Sequence, residues 1–398
     1  MLILKAFFWA SLFVIFYSYI GYGIILYILV KIKRIRAASA VRPGTVKPED
    51  LPEVTLFITA YNEKEIIPGK IANSKSLNYP PEKIKHIWIT DGSNDGSPEL
   101  LGSFEGIEVY HKPERKGKIA AMNRGMQFVN TPIVVFSDAN TFLGEDSILR
   151  IVSLFMDPHV GCVSGEKRIF NAVSDSASGS GEGIYWKYES LLKKWDSELY
   201  SVVGAAGELF AIRTSLWQEV EPDTLLDDFV ISLRVAMRGY TIKYDPEAYA
   251  IETASANTKE ELKRKIRISA GGIQSVIRLK ALLNIFKYGL LSFQFISHRV
   301  LRWMVSPFLL LLIIPVNYWL FLTASSAGIY AFFWYGQVIF YLLILLGWLL
   351  RARQTRLKAL FVPFYFFMMN YSVYLGLIRY LKRSQSVVWD KAQRKNRS

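Results

Sequence analysis

The chain has 398 residues, 51% of them apolar, a formal net charge of +14 and a mean hydropathy of +0.20, which is high for a soluble protein. That length predicts one large domain or two smaller ones. A single cysteine excludes an internal disulfide and fits a reducing compartment, and no motif supports reading the basic excess as nucleic-acid binding. Much of that excess lies at 31–36, 351–358 and 379–397, beside apolar runs, where basic residues meet anionic lipid headgroups.

Residues 6–30 carry no charge and exceed the ~20 needed to cross a bilayer. The run is too long for a signal-peptide core, and no small-residue cleavage site follows. Lys31, Lys33, Arg34 and Arg36 follow it, and only Lys5 and the amino terminus precede it. The positive-inside rule then puts residue 31 onward in the cytoplasm. Residues 37–51, small, polar and Pro/Gly-containing, read as a linker.

From 52 to 280 strand and helix signals alternate. Strands are expected at 54–58, 84–89, 107–110 and 133–136, and helices at 64–77, 98–104 and 118–128. This spacing predicts βαβ units and a mostly parallel sheet, whose ligands bind beyond the carboxyl ends of strands. Tyr61, Asp91 and Asp138 fall at such ends, so three separated clusters are expected to meet in one cleft. Cys162, between Val160-Gly161 and Val163, reads as a buried, inert thiol in a strand. Residues 171–183 are rich in Ser and Gly and read as a flap over a substrate or a plain surface loop. A long amphipathic helix is expected over 182–199.

Uncharged runs return at 303–323, 329–350 and 359–378, within C-terminal membrane segments expected over 301–381. Residues 281–300 precede them, and Ile285–Val300, with Lys287, His298 and Arg299, reads as an amphipathic interface helix. Alternate crossings put Arg351, Arg353, Arg356 and Lys358 inside. A full crossing by 359–378 would then put the basic tail, 382–398, outside, against the positive-inside rule. Pro363 and the central Asn370 suggest instead that 359–378 is re-entrant or tilted at the interface, with the tail cytoplasmic.

Nucleotide phosphates are held in few ways, and the chain has neither a GxxxxGK[ST] loop nor a GxGxxG between a strand and a helix. A metal bridging a diphosphate, held by a strand-end carboxylate with a lysine nearby, remains. Asp138 supplies the carboxylate, Asn140 a neutral oxygen and Lys118, after Gly117, a phosphate partner. Duller readings stand beside these. Asp91-Gly92 and Asp95-Gly96 are ordinary turn chemistry, Asp227 can cap a helix beginning near Phe229, and Glu63 can face solvent.

The chain resembles the membrane-embedded family-2 glycosyltransferases of GT-A fold, the group that includes cellulose, chitin, hyaluronan and poly-N-acetylglucosamine synthases. The resemblance rests on Thr59-Ala60-Tyr61-Asn62-Glu63, Asp91-Gly92-Ser93 with Asp95-Gly96-Ser97, and Gly117-Lys118 through Asn123. It continues through Ser137-Asp138-Ala139-Asn140 at the DxD position, Gly207 through Arg213 on the acceptor side, and Asp227-Asp228 at the ED motif. It implies a GT-A cytosolic domain over 52–280, flanked by membrane helices. Ala60, Tyr61, Glu63 and Asp91 would contact the donor nucleoside, and Lys118 its ribose or diphosphate. Asp138 with Asn140 would hold Mg2+ or Mn2+. Asp228 would be the general base, and Glu208, Asp227, Arg264 and Arg267 would border the acceptor.

Two positions depart from the family pattern. The DxD position reads Asp138-Ala139-Asn140, lacking one carboxylate. The QxxRW of polymer-making members is met by Arg264-Lys265-Ile266-Arg267-Ile268, without its glutamine and tryptophan. The expected function is inverting transfer of a sugar from a nucleotide donor, UDP-linked by family default, to a lipid-linked or saccharide acceptor at the cytoplasmic membrane face. This would serve glycolipid or exopolysaccharide synthesis. A processive, exporting polysaccharide synthase is the alternative within that class; an inactive sugar-nucleotide sensor or scaffold is the alternative outside it.

Overall fold

A computed structural model describes residues 1–36, 48–170, 177–253, 258–324, 327–350 and 361–382. Eight strands form one sheet: β1 (Val54–Ala60), β2 (Ile84–Asp91), β3 (Ile107–Lys112), β4 (Ile133–Asp138), β5 (Phe142–Leu143), β6 (Val160–Phe170), β7 (Leu209–Arg213) and β8 (Thr241–Thr253), in the order β3-β2-β1-β4-β7-β6-β8-β5. β1 pairs in parallel with β2 and β4, and β2 with β3. Beyond β4 the sheet changes character. β7 is antiparallel to both β4 and β6, β6 is parallel to β8, and β5 is antiparallel to β8. The expected parallel half is present, within a mixed sheet.

The central strands are covered on both faces, which is why they read as near-continuous apolar runs. Leu56, Ile58, Trp88 and Val135 point into one core layer with Ile67 and Ile71 of α3 (Ile67–Lys75), Leu101 of α4 (Ser97–Gly102), and Ile148 and Ile151 of α6 (Ser147–Leu154). Their neighbours Phe57, Ile87, Ile89 and Phe136 point the other way, onto Ile119 and Met122 of α5 (Lys118–Gly125), Phe229 and Val230 of α8 (Asp227–Met237), and Val276 of α9 (Thr258–Arg278). The period of two along each strand makes this division. The helix expected from residue 64 begins at Ile67, because the Glu63 carbonyl accepts the amides of Ile66 and Ile67 in a turn. Cys162 is fully buried in β6, and burial pushes its thiol pKa up.

α7 (Ala177–Leu199) begins five residues before the expected start at 182. Of the flap-or-loop segment, 171–176 lies outside the described residues, as do most of the linker (37–47), the basic loop 351–358 and the tail beyond 382.

Among the described residues, four helical stretches are long and apolar enough to cross a membrane: Leu2–Arg36, Ile285–Thr323, Gly328–Leu350 and Phe361–Leu381. The first comprises α1 (Leu2–Phe16), a π-helical turn and α2 (Tyr22–Arg36). Its 35 residues reach ~50 Å, well beyond a ~30 Å hydrocarbon core, and its two halves have different partners. Phe8 packs with Ile313, Leu320 and Tyr330 of α11 (Ser306–Thr323) and α12 (Ala327–Leu350). Tyr22, Leu26 and Val30 pack with Leu192 and Leu199 of α7. The expected interface helix is not a separate piece. α10 (Ile285–Phe295), kinked at Gly289, continues through a π-helical stretch, Ile296–Val305, into α11.

A buried ionic cluster fastens that stretch to α7. His298 sets Nδ1 2.6 Å from Asp196 Oδ2 and Nε2 3.0 Å from Glu189 Oε1. Arg299 and Arg302 also donate to Glu189, at 2.6 and 2.9 Å.

α13 (Phe361–Leu381) is one continuous helix. Pro363 lies in the first turn, where its missing N–H costs no intrahelical bond. The Asn370 amide is satisfied: Tyr19 donates its hydroxyl to Oδ1 at 2.7 Å, and Nδ2 donates to the Phe366 carbonyl at 2.9 Å. α13 also lies along α9, a helix outside the membrane-length stretches. The Ser269 and Ser372 hydroxyls are 3.0 Å apart. A Cβ at Gly376 would stand 2.8 Å from the Ala270 nitrogen, so only glycine allows that approach.

Candidate active site

β2 follows β1 on one side of it and β4 lies on the other, so the chain parts at the carboxyl end of β1 and leaves a crevice. Thr59 is in register with Asp138, which brings Ala60–Glu63 and Ser137–Asn140 to the same edge. The two loops that follow β1 and β2 are tied together. Asn62, in the left-handed region at φ 52°, donates from Nδ2 to Asn94 Oδ1 at 3.0 Å and accepts the Asn94 amide at 3.0 Å. The Glu63 amide donates to Ser97 Oγ at 3.2 Å. Asp95 is used in turn chemistry: Oδ1 accepts the Ser97 amide and hydroxyl, and Oδ2 accepts the Lys64 amide.

Asp91 is almost wholly buried, and its carboxylate accepts the amides of Lys116 at 3.0 Å and Gly117 at 2.6 Å. Gly117, at φ +94°, lets the chain turn there and enter α5 with Lys118 as its first residue. Asp91 thus fixes the loop that aims Lys118, and a nucleoside contact would share an oxygen already in use. Beside it the Arg115 guanidinium lies 3.6 Å over the Tyr61 ring, a cation–π stack.

Lys118 Nζ is 2.9 Å from Asp138 Oδ1 and 3.2 Å from Asp227 Oδ2. Asp227 does not cap the helix, so the duller reading of it does not apply. Leu226 is the N-cap, and Asp227 and Asp228 form the first turn of α8, where the helix dipole favours negative charge. Asp228 faces Gly207, whose absent side chain leaves room: a Cβ there would be 3.2 Å from Asp228 Oδ2. Burial, then the Asp227 carboxylate, push the Asp228 pKa up to about 7, with Lys118 opposing. Burial also raises Asp138, against the pull of Lys118. Burial alone would lower Lys118, but Asp138 and Asp227 outweigh it and hold the ammonium firmly charged. A small cavity between these groups is lined by Phe57, Thr59, Lys118, Met122, Asp138 and Gly207.

Glu208, expected at the acceptor, sits 2.5 Å from Lys167 Nζ, which also bonds the Glu252 carboxylate. Although burial opposes ionisation, Lys167 brings the Glu208 pKa down to about 2. Arg264 and Arg267 lie three residues apart on α9. Arg264 is bidentate to Glu261, at 2.9 and 2.7 Å. Burial lowers the Arg267 pKa, with the charges of Asp227, then Asp138 and Asp228, opposing it. Asn140 stands in the turn just past Asp138.

Sequence reasoning missed two lysines. Lys167 lies in β6 and Lys70 in α3, both buried. A charged residue at an inward position of an apolar-periodic element was the available signal.

Residues 55–220 match the family model for glycosyl transferase family 2. The poly-beta-1,6-N-acetyl-D-glucosamine synthase of Staphylococcus aureus (strain COL) is 28% identical over 243 residues, 58% of this chain and 58% of that protein. The enzyme of the same description from Staphylococcus epidermidis is 24% identical over 264 residues, 64% of this chain and 62% of that protein. Each match thus spans less than two thirds of the relative. Among solved structures, the mannosyltransferase PcManGT from Pyrobaculum calidifontis, in complex with GDP-Man and Mn2+, superposes with a TM-score of 0.66 at 19% identity, covering 96% of this chain and 100% of that one. That likeness is one of fold.

Proposed function

We propose, from a chain whose residues 55–220 are a glycosyl transferase family 2 domain carried on a GT-A fold, that the protein is an inverting glycosyltransferase. It moves a sugar from a nucleotide donor to a lipid-linked or saccharide acceptor at the cytoplasmic face of a membrane. The observation that carries this reading is the convergence of Lys118, Asp138, Asp227 and Asp228 at the carboxyl end of β4 and the first turn of α8.

In the reaction the acceptor hydroxyl oxygen bonds the anomeric carbon as the bond from that carbon to the diphosphate oxygen breaks. Asp228 takes the hydroxyl proton, and a carboxylate titrating near 7 suits the task. Lys118 lies where it can carry charge for the diphosphate. Tyr61 and Arg115 present a flat, cationic face to the nucleoside. Glu208, Arg264 and Arg267 border the acceptor side, and Asp91 acts by aiming the Lys118 loop.

The oxygen donors Asp138 and Asn140 suit Mg2+ or Mn2+, hard cations commonly held by one or two carboxylates plus substrate phosphates. Among the described residues no group of three or more His, Cys, Asp and Glu could hold a metal, so phosphate oxygens would complete the shell. The bound ion supplies Lewis-acid charge for the departing diphosphate, and the Mn2+ of the mannosyltransferase neighbour agrees.

Addition of one or a few sugars is favoured by α9, which lacks the glutamine and tryptophan of the polymer synthases and is covered by α13. The relatives' own names, poly-N-acetylglucosamine synthases, favour the processive alternative. An inactive sensor fits less well, because both Asp138 and Asp228 are present. We take the protein to be multi-pass, with the tail cytoplasmic because α13 lies along α9 rather than apart from the catalytic domain. The test is detergent-purified protein with a panel of nucleotide sugars and Mg2+ or Mn2+, reading nucleotide release and sizing products by mass spectrometry. Release from no donor overturns the reading; a ladder of long products selects the processive form.

A further inference from the structure

Asp138 is approached from both faces of the sheet. Lys118 reaches it from α5, on the Phe57–Phe136 side. On the opposite side, in the layer of Ile67 and Ile71, α3 carries Lys70, whose side chain is 0% exposed. Its Nζ donates to Ser137 Oγ at 2.7 Å and to the Thr141 carbonyl at 2.7 Å. Both acceptors are neutral. Thr141 Oγ1 in turn donates to the Asp138 carbonyl at 2.9 Å. Asn73, one turn along α3, donates to the Leu143 carbonyl at 2.9 Å and accepts the Leu143 amide at 2.8 Å. One helix therefore grips both ends of the segment 137–143.

A buried ammonium bonded only to neutral groups is a costly core residue. Burial lowers the Lys70 pKa to about 7, with the Asp138 carboxylate opposing. Methionine would fill nearly the same volume without that cost. What methionine cannot do is bond a hydroxyl and a carbonyl at opposite ends of the turn from Ser137 to Thr141. We propose that Lys70 is a positioning residue that clamps the turn from Ser137 to Thr141 and so sets the Asp138 carboxylate and the Asn140 amide toward the donor. The clamp follows from the geometry; its purpose rests on the function proposed above.

The test uses the full chain in detergent as wild type, Lys70→Met and Ser137→Ala. Hydrogen exchange of the 138–143 amides is expected to quicken by about tenfold or more in Lys70→Met, while exchange elsewhere and the melting temperature hold or improve. Binding of UDP and of GDP with Mn2+ is expected to weaken by roughly 10- to 100-fold, with binding recovering as Mn2+ is raised. A purely structural lysine would not give that Mn2+ rescue. Unchanged exchange at 138–143 in folded Lys70→Met overturns the clamp, whatever the wild type does with donors. Quickened exchange in a protein whose wild type binds and cleaves no nucleotide sugar leaves the clamp standing and removes the proposed function. If Lys70→Met does not fold, Ser137→Ala, which loses one oxygen, must show a smaller local rise in exchange; no rise overturns the proposal.

Discussion

Lys118 stands between Asp138 and Asp227, 2.9 Å from Oδ1 of the first and 3.2 Å from Oδ2 of the second. One ammonium thus joins the end of β4 to the first turn of α8 and moderates the charge felt by Asp228. Lys118→Met should weaken nucleotide diphosphate binding at least ~10-fold, since it removes a charge-assisted partner. Because Lys118 lowers the Asp228 pKa, the same variant should move the rate profile to higher pH. Isothermal titration and a pH series of initial rates check both; an unmoved profile would separate Lys118 from Asp228.

Asp228→Asn should reduce transfer by ~10²-fold or more while leaving nucleotide affinity near wild type. An amide at this position cannot accept the acceptor proton. Near-normal turnover would remove Asp228 from the mechanism.

The wild-type rate should rise with pH through about 7 and then level, because the raised Asp228 pKa leaves its base form scarce below that point. The sign follows from a carboxylate that works deprotonated. Glu208, brought down to about 2, stays charged throughout and contributes no step. Initial rates from pH 5 to 9 at saturating donor test this, and a rate falling through neutrality contradicts it.

Asp138→Ala should weaken metal-dependent donor binding, and Asn140→Asp should tighten the metal by restoring a second carboxylate, without necessarily speeding turnover. Titration of Mn2+ at fixed nucleotide reads both. Wild-type binding and turnover indifferent to chelator would exclude a metal role for either residue.

A cysteine at Ser398, with Cys162→Ser, should resist a membrane-impermeant thiol reagent on intact cells and react after permeabilisation. The expectation follows from the packing of α13 along α9. Labelling of intact cells would instead make Phe361–Leu381 a simple crossing helix.

The sequence by itself determined whatever depends on neighbours in the chain. Apolar runs of strand length ending at Tyr61, Asp91 and Asp138 placed those residues at one edge. Uncharged runs of membrane length marked the four apolar helical stretches. Tertiary structure decided what depends on partners far along the chain. β7 was free to pair either way until it met β4. Asp91 gained its hold on the Lys118 loop only when the amides of Lys116 and Gly117 reached it. Asp227 looked like a cap until Lys118, more than a hundred residues earlier, took its carboxylate. Pro363 and Asn370 read as breaks in 359–378 until the first turn absorbed one and Tyr19 bonded the other. Lys70 and Lys167 stand at inward positions of their elements, but the atoms they bond come from the packed chain. A residue's type limits which bonds it can make, and only the fold supplies the atoms at the other end.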